Sequence, residues 1–240
     1  MISIIIPTLN EEKIIEKTLL TLKELRDFDY EIIISDGRSK DKTIEIAKKH
    51  GAKVIVYEGM TRQTISHGRN LGASIASKEL LVFLDADVEI PNINNFFKKT
   101  VKLFEEQKEL TGLTTRIKIH KDVETLADKI ILGAFDYINF FLNNVVGFGG
   151  ASGEFQMIRA SAFKELRGYN EKIAVAEDID MFQRLAKKGK TRIEMSLKIM
   201  HPGRRAHKIG WPKLLFNWTI NGLTVMTKKH SYHEVWEEIR

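Results

Sequence analysis

The 240-residue chain contains no cysteine, which excludes disulfides, thiolate catalysis and cysteine-bound zinc and makes an intracellular, cytoplasmic location the default. It also has no apolar run fit to cross a bilayer. The longest, Ile130 to Gly150, is interrupted by Asp136, Asn139, Asn143 and Asn144, which a spanning helix tolerates poorly. The amino-terminal MISIIIPTLNEEK lacks a basic leader and meets acids at once, so it reads as a first strand and not as a signal peptide. G-x-G-x-x-G is absent, which argues against a dinucleotide-dependent oxidoreductase. PTLNEEK has no glycine, whereas a nucleotidyltransferase that makes sugar nucleotides would carry a glycine-rich phosphate loop there. Repeats, low-complexity segments and linkers are missing too.

What is present is a chain 43% hydrophobic, enough for a sizeable core, with a formal charge of +6. That charge suits anionic partners such as nucleotide phosphates, nucleic acid or an acidic membrane surface, and it equally suits a lysine-rich solvated exterior. Strand and helix patterns alternate through the first hundred residues. Ile2 to Ile6, Glu31 to Ser35, Lys53 to Tyr57 and Leu80 to Leu84 read as strands; Asn10 to Leu25, a stretch ending at His50, and Thr61 to Ser77 read as helices. This alternation predicts right-handed βαβ units and a mostly parallel α/β sheet. Beyond Pro91 the patterns predict helices over 94–106, 123–144 and from Ala176 to Gly189, with strands near 113–119, at Met157 and Ile158, and over 191–199.

Ligands of an open parallel sheet bind beyond the carboxyl ends of its strands, and the acids of this sequence gather there. Asp36 ends the second strand; Asp85 and Asp87 end the fourth, separated by Ala86 alone. Two carboxylates that close repel unless a cation or a shared proton relieves them. A hard divalent ion bridging to diphosphate oxygens is one relief, and a solvated strand-end turn is the plainer alternative.

SIIIPTLNEE, EIIISDGRSKDKT, GRNLGA, LLVFLDADVEIP and AEDIDMFQRL, in this order and spacing, resemble family-two glycosyltransferases of the GT-A fold over roughly residues 1 to 200. The resemblance implies a GT-A domain, with a nucleotide-sugar-binding half at 1–90, an acceptor half at 91–200, and a basic, apolar helical extension at 201–240. It implies an inverting transferase, dependent on Mn²⁺ or Mg²⁺, that moves one sugar from a nucleoside diphosphate donor to an acceptor hydroxyl. UDP is favoured by family habit, with GDP next. Processive relatives carry Q-x-x-R-W, which FQRLAKK lacks, so a single transfer is expected.

On these residues, the resemblance places Pro7, Leu9 and Glu11 in the loop that holds base and ribose, and Asp36 against the base. Asp36 also fits a cap on the turn DGRSKD. Arg62 and Arg69 fall at donor contacts, and a surface arginine of an amphipathic helix is the other use of each. Asp85 and Asp87 match the D-x-D motif, the second as direct metal ligand and the first near ribose or metal-bound water. Asp178 of the Glu177–Asp178 pair is similar to the general base; the dipole at a helix start accounts for such acids as well. His201 falls where some relatives supply a third metal ligand, and it is also an ordinary surface residue. Arg204 and Arg205 are candidates for closing over the diphosphate, and Gly150, Ser152, Glu154 and Glu177 are acceptor-side candidates.

Two broadly apolar helices remain. On the one over 123–144, Asp128, Asp136, Asn139 and Asn143 form a narrow polar stripe and leave a wide apolar arc. The tail places Trp211 and Trp218 beside Arg204, Arg205, Lys208 and Lys213. Packing of the two helices together, or a homodimer contact, is the expected use of this surface. Peripheral membrane association with a lipid-linked acceptor is the second use. A non-catalytic nucleotide- or membrane-binding protein on the same fold is the rival from another class, opposed by the retained acids. Nucleic acid is not an expected partner.

Overall fold

The computed structural model describes residues 1–228. Ile2, Ile4, Ile5 and Ile6 are fully buried in strand β1 (Ile2–Thr8), as a strand covered on both faces requires. Strands β2 (Tyr30–Asp36) and β4 (Leu80–Leu84) flank it in parallel, and β3 (Lys53–Val56) lies beyond β2. Helices α1 (Ile15–Leu22), α2 (Thr43–Lys49) and α3 (Ile65–Ser74) make the crossovers. With β5 (Leu110–Ile119), β6 (Phe155–Arg159) and β7 (Lys190–His201), the sheet order is β3-β2-β1-β4-β6-β5-β7. Only β6 opposes the common direction: it is antiparallel to β4 and β5, and β5 is parallel to β7.

The two-residue period of the strands divides the core. Ile4, Ile6, Ile32, Ile34, Val82 and Leu84 face a layer built by α1, α2 and α4 (Ile93–Glu106). Ile5, Ile33, Leu81 and Phe83 face α3, α6 (Ala160–Glu165) and α7 (Glu177–Ala186). The sheet is thus sandwiched, with the parallel strand ends open at one edge.

Several boundaries are tighter than the pattern predicts. Helix α1 begins at Ile15 and not at Asn10, because Asn10 is left-handed (φ 53°) and donates its N–H to Ser39 Oγ, while Glu11 N–H goes to Thr43 Oγ1. Those residues form a loop pinned to the end of β2. Helix α3 begins at Ile65, where Thr64 caps it by accepting the His67 N–H.

Helix α5 (Leu126–Phe140), continued by a π-helical turn at Phe141–Val146, departs furthest from the expected packing. Its polar stripe faces inward: Asp128, Asp136, Asn139 and Asn143 are buried, while Leu126, Ile130, Tyr137, Ile138 and Phe141 are exposed. Packing with the tail is realised only along one edge. There the Trp218 ring of α9 (Trp211–Lys228) lies 5.2 Å from that of Phe135, and Trp211 Nε1 donates to Asp128 Oδ1 at 2.7 Å. Among the described residues no helix is long and apolar enough to cross a membrane. The last part of the expected extension, 229–240, lies outside the described residues.

Candidate active site

The open edge begins with the loop after β1, where Pro7, Leu9 and Glu11 are partly exposed. Beside them, Asp36 is fully buried and its carboxylate is consumed locally. Oδ1 accepts the Ser39 N–H (2.7 Å), and Oδ2 accepts the hydroxyls of Ser39 (2.6 Å) and Thr8 (2.9 Å). The turn-capping use of Asp36 is thus realised: its carboxylate shapes the loop, with Oδ1 accepting a single hydrogen bond. Arg62 is exposed ahead of α3.

At the end of β4, Asp85 N–H donates to the Glu154 carbonyl (3.2 Å), which sets the acid against the loop before β6. Its side chain keeps 35% of its surface and lies 3.5 Å from Arg69. Desolvation pushes its carboxyl up to about 8, opposed by Arg69 and reinforced by Glu154, Asp87 and Glu177. Asp87 is held differently. Its Oδ2 accepts from Nε (3.1 Å) and Nη2 (2.6 Å) of Arg204, the first residue of α8 (Arg204–Ile209). The guanidinium sits on the carboxylate expected to ligate an ion.

Two carboxylates at a strand end are hard oxygen donors suited to a divalent ion completed by phosphate oxygens, so Asp85 and Asp87 fit one. Among the described residues, however, no three acidic or imidazole groups converge as a ready cage. His201 explains part of this. Its Nδ1 accepts the Gly203 N–H (3.2 Å), while its buried Nε2 has no partner. That tautomer puts the ring proton on Nε2, so the expected third ligand is here a turn acceptor and would need to shift its proton to serve a metal. A groove lined by Lys13, Lys17, Thr18, His120, Asp87 and Arg204 opens beside the Asp87–Arg204 pair.

Arg69, expected at the donor, is 1% exposed and ties three segments together. Nη1 donates to Glu177 Oε1 (2.6 Å), Nη2 donates to the Gly153 carbonyl (2.8 Å), and the guanidinium lies over the Tyr169 ring at 5.3 Å. Both Arg69 and Glu177 are thereby paired within the protein. Buried ion pairs of this kind fix geometry more than they bind solutes. Beside them Asp178 begins α7 after the left-handed Ala176 (φ 69°), and its Oδ1 accepts the Ile179 N–H (2.8 Å). A side chain at Gly153 would meet Asp178 Oδ2 at 3.7 Å, so that oxygen faces the same loop as Asp85. Burial first, then Glu177, raises the Asp178 carboxyl well above its ordinary value, against Arg69.

The loop from Gly149 to Glu154 is held from below. Asn143 exchanges hydrogen bonds with Gly150 in both directions (2.7 and 3.3 Å), and Gln156 Nε2 donates to the Ser152 carbonyl (3.1 Å). Gly149 is left-handed (φ 86°), and a Cβ there would stand 2.3 Å from the Phe182 carbonyl oxygen; glycine is required on both counts. Of this loop, Gly153 faces Asp178 and the Glu154 carbonyl holds the Asp85 N–H, while Gly150 is turned toward Asn139 and Asn143. Tyr169, Gly153, Lys13, Lys17 and His120 carry no local motif, and only the fold brings them here.

Residues 3–167 match Glycosyl transferase family 2. The chain is 43% identical over 95 residues to 4,4'-diaponeurosporenoate glycosyltransferase of Staphylococcus haemolyticus, covering 38% of this chain and 25% of that protein. It is 32% identical over 164 residues to the dolichyl N-acetyl-alpha-D-glucosaminyl phosphate 3-beta-D-2,3-diacetamido-2,3-dideoxy-beta-D-glucuronosyltransferase of Methanococcus voltae, covering 60% and 51%. It thus spans a quarter to a half of these relatives' lengths. Among solved structures it resembles the mannosyltransferase PcManGT of Pyrobaculum calidifontis in complex with GDP-Man and Mn²⁺, with TM-score 0.71, 17% identity, and 93% and 61% of the two chains covered. Glucosyl-3-phosphoglycerate synthase of Mycobacterium tuberculosis, in complex with Mn²⁺, UDP and glucosyl-3-phosphoglycerate, gives 0.60, 21%, 94% and 78%. The sheet order, the open strand edge and these likenesses make the fold GT-A, and with its family match over 3–167 the chain belongs to glycosyl transferase family 2.

Proposed function

We propose that the chain is an inverting glycosyltransferase that moves a single sugar from a nucleoside diphosphate donor, UDP-linked before GDP-linked, to the hydroxyl of a sugar or lipid-linked acceptor. The observation that carries this reading is the raised, half-buried carboxyl of Asp178, which faces Gly153 on the loop whose Glu154 carbonyl holds the Asp85 N–H. In this reading 1–90 forms the donor half, 91–200 the acceptor half, and 201–240 the extension.

Pro7, Leu9 and Glu11 border the base and ribose, with Arg62 at the outer rim. The acceptor hydroxyl enters against Ser152 and Glu154. Asp178 takes its proton as the oxygen attacks the anomeric carbon from the side opposite the diphosphate. The bond from that carbon to the phosphate oxygen breaks, its electron pair leaves with the diphosphate, and the anomeric centre inverts. A raised basicity in Asp178 matches this task, since a weakly basic carboxylate would abstract poorly.

Asp87 and Asp85 would hold a divalent ion, which when bound supplies positive charge against the diphosphate oxygens. Arg204, released from Asp87, is placed to turn its fork to the same phosphates together with Arg205. The lipid-linked alternative draws support from the dolichyl phosphate in the name of the M. voltae relative.

The test is calorimetric titration of UDP, GDP and dTDP into the purified protein, each with and without Mn²⁺. Binding of one nucleotide only in the presence of the ion is expected. If none binds in either condition, the reading fails.

A further inference from the structure

Apolar side chains scattered singly over a surface need no explanation, but a contiguous patch does. Of the sixteen large apolar side chains exposed among the described residues, nine fall between Leu126 and Phe148. Across that whole span the one exposed charge is Lys129, because Asp128 and Asp136 are both turned inward. Tyr137 is 71% exposed and Leu126 72%. On the neighbouring α9, Phe216 adds to the same apolar character, with exposed Lys213 one turn before it.

Charge selects the occupant. From Met195 to His233 the sequence has seven lysines and arginines and no acid. A second copy of the chain docked about a two-fold axis would set this patch against itself, bringing its lysines toward like charges, with Glu124 already spent on Lys129 of its own chain at 3.6 Å. An anionic lipid surface reverses that sign: it solvates the apolar arc in its acyl boundary and attracts the lysines at the rim. The position also suits an interface. The π-helical turn runs straight into the Gly149–Glu154 loop, whose Gly153 faces Asp178 and whose Glu154 carbonyl holds the Asp85 N–H.

We infer that the outward face of α5 and its π-helical turn, with Phe216, is a docking surface for an anionic lipid bilayer. Seated there, the chain rests in the headgroup layer without spanning it. The inference stands on surface composition and does not require the proposed chemistry.

The experiment is flotation of the full 240-residue chain with vesicles of phosphatidylcholine alone and of phosphatidylcholine with phosphatidylglycerol, in low and high salt. The expected result is binding to the anionic vesicles that weakens with salt. It should fall by at least about tenfold in Ile130→Ser/Tyr137→Ser/Phe141→Ser and about fivefold for each of Lys129→Glu and Lys213→Glu. All five sites are exposed, so melting temperature and Mn²⁺-dependent nucleotide binding should hold in the variants. That second readout separates failure at the surface from failure of the active-site reading. No flotation at low salt overturns the inference, as does a dimer by light scattering that the triple variant dissociates without any change in vesicle binding.

Discussion

Replacing Asp128 tests how the site is braced. Its carboxylate caps α5 through Thr125, receives Trp211 Nε1–H at 2.7 Å from α9, and receives His207 Nε2–H at 2.9 Å from α8, the helix that carries Arg204 to Asp87. Desolvation alone would raise its pKa, but the hydrogen bonds from His207, Thr125 and Trp211 win and hold it at about 2, against an ordinary 3.8. That depression corresponds to about 2 kcal/mol. Because the folded value is the lower one, the contribution is fully present above about pH 4 and is lost as pH falls through 2, with about half gone at pH 3. Asp128→Asn keeps the shape and an acceptor for Trp211 but forfeits the charge, so a loss of about 2 kcal/mol is expected at pH 7, or about 4–8 °C in melting temperature. Asp128→Ala also strands the Trp211 and His207 donors and removes the cap, for about 4 kcal/mol in all. Urea denaturation of wild type and Asp128→Asn at pH 7 and pH 3 reads the difference. If the gap between the two proteins is as wide at pH 3 as at pH 7, the charged carboxylate is not the source of the stability.

Asp178→Asn should leave nucleotide affinity within about threefold and lower kcat by about 10²–10⁴; equal loss of binding and transfer would remove Asp178 from the role of base. Since its carboxyl is raised and must be ionised to act, kcat/KM of the wild type should reach its plateau at a pH above that of an unperturbed carboxylate, and a profile that levels off at the ordinary carboxylate value would contradict that. Arg69→Met strands the buried Glu177 and should cost about 3–5 kcal/mol in chemical denaturation, most of it recovered by adding Glu177→Gln. Gly147 and Gly149 are both left-handed, but only Gly149 faces backbone; Gly147→Ala should therefore cost about 1 kcal/mol and Gly149→Ala clearly more, and equal melting temperatures would show that the Phe182 contact yields.

The half of the fold nearest the amino terminus was legible because each strand is a continuous apolar run and each ends in a residue with a chemical reason to be there. Asp85 and Asp87 follow Leu80–Leu84, and a pattern confined to the eight residues LLVFLDAD locates them. The partners of Arg69 were not legible, for the opposite reason. A helix pattern shows which residues share a face, not that the face meets a carboxylate 108 positions further on. The capping use of Asp36 was legible from the turn that follows it, whereas its bond from Thr8, 28 positions earlier, was not. The His201 ring depends on the Gly203 N–H two residues away, a turn geometry that composition does not encode.

Helix α5 shows why amphipathic pattern and burial can disagree. The rule that the apolar arc turns inward assumes that the receiving surface is apolar, and here it is not. Asp136 receives the Ile117 N–H and Lys118 from β5, Asn143 secures Gly150 on the loop before β6, and Asn144 exchanges bonds with Ile193 of β7. Turning the helix to hide Ile130, Tyr137 and Ile138 would break these bonds and leave buried backbone and side-chain groups unpaired, at about 1–3 kcal/mol each. Keeping the present orientation forgoes about 1.5–3 kcal/mol for each large apolar side chain left in water. Both costs vanish together only if something apolar covers the outer face while the polar stripe stays inside. The inward polar stripe that secures the Gly150 loop is therefore the reason that the apolar side chains of α5 stand outside.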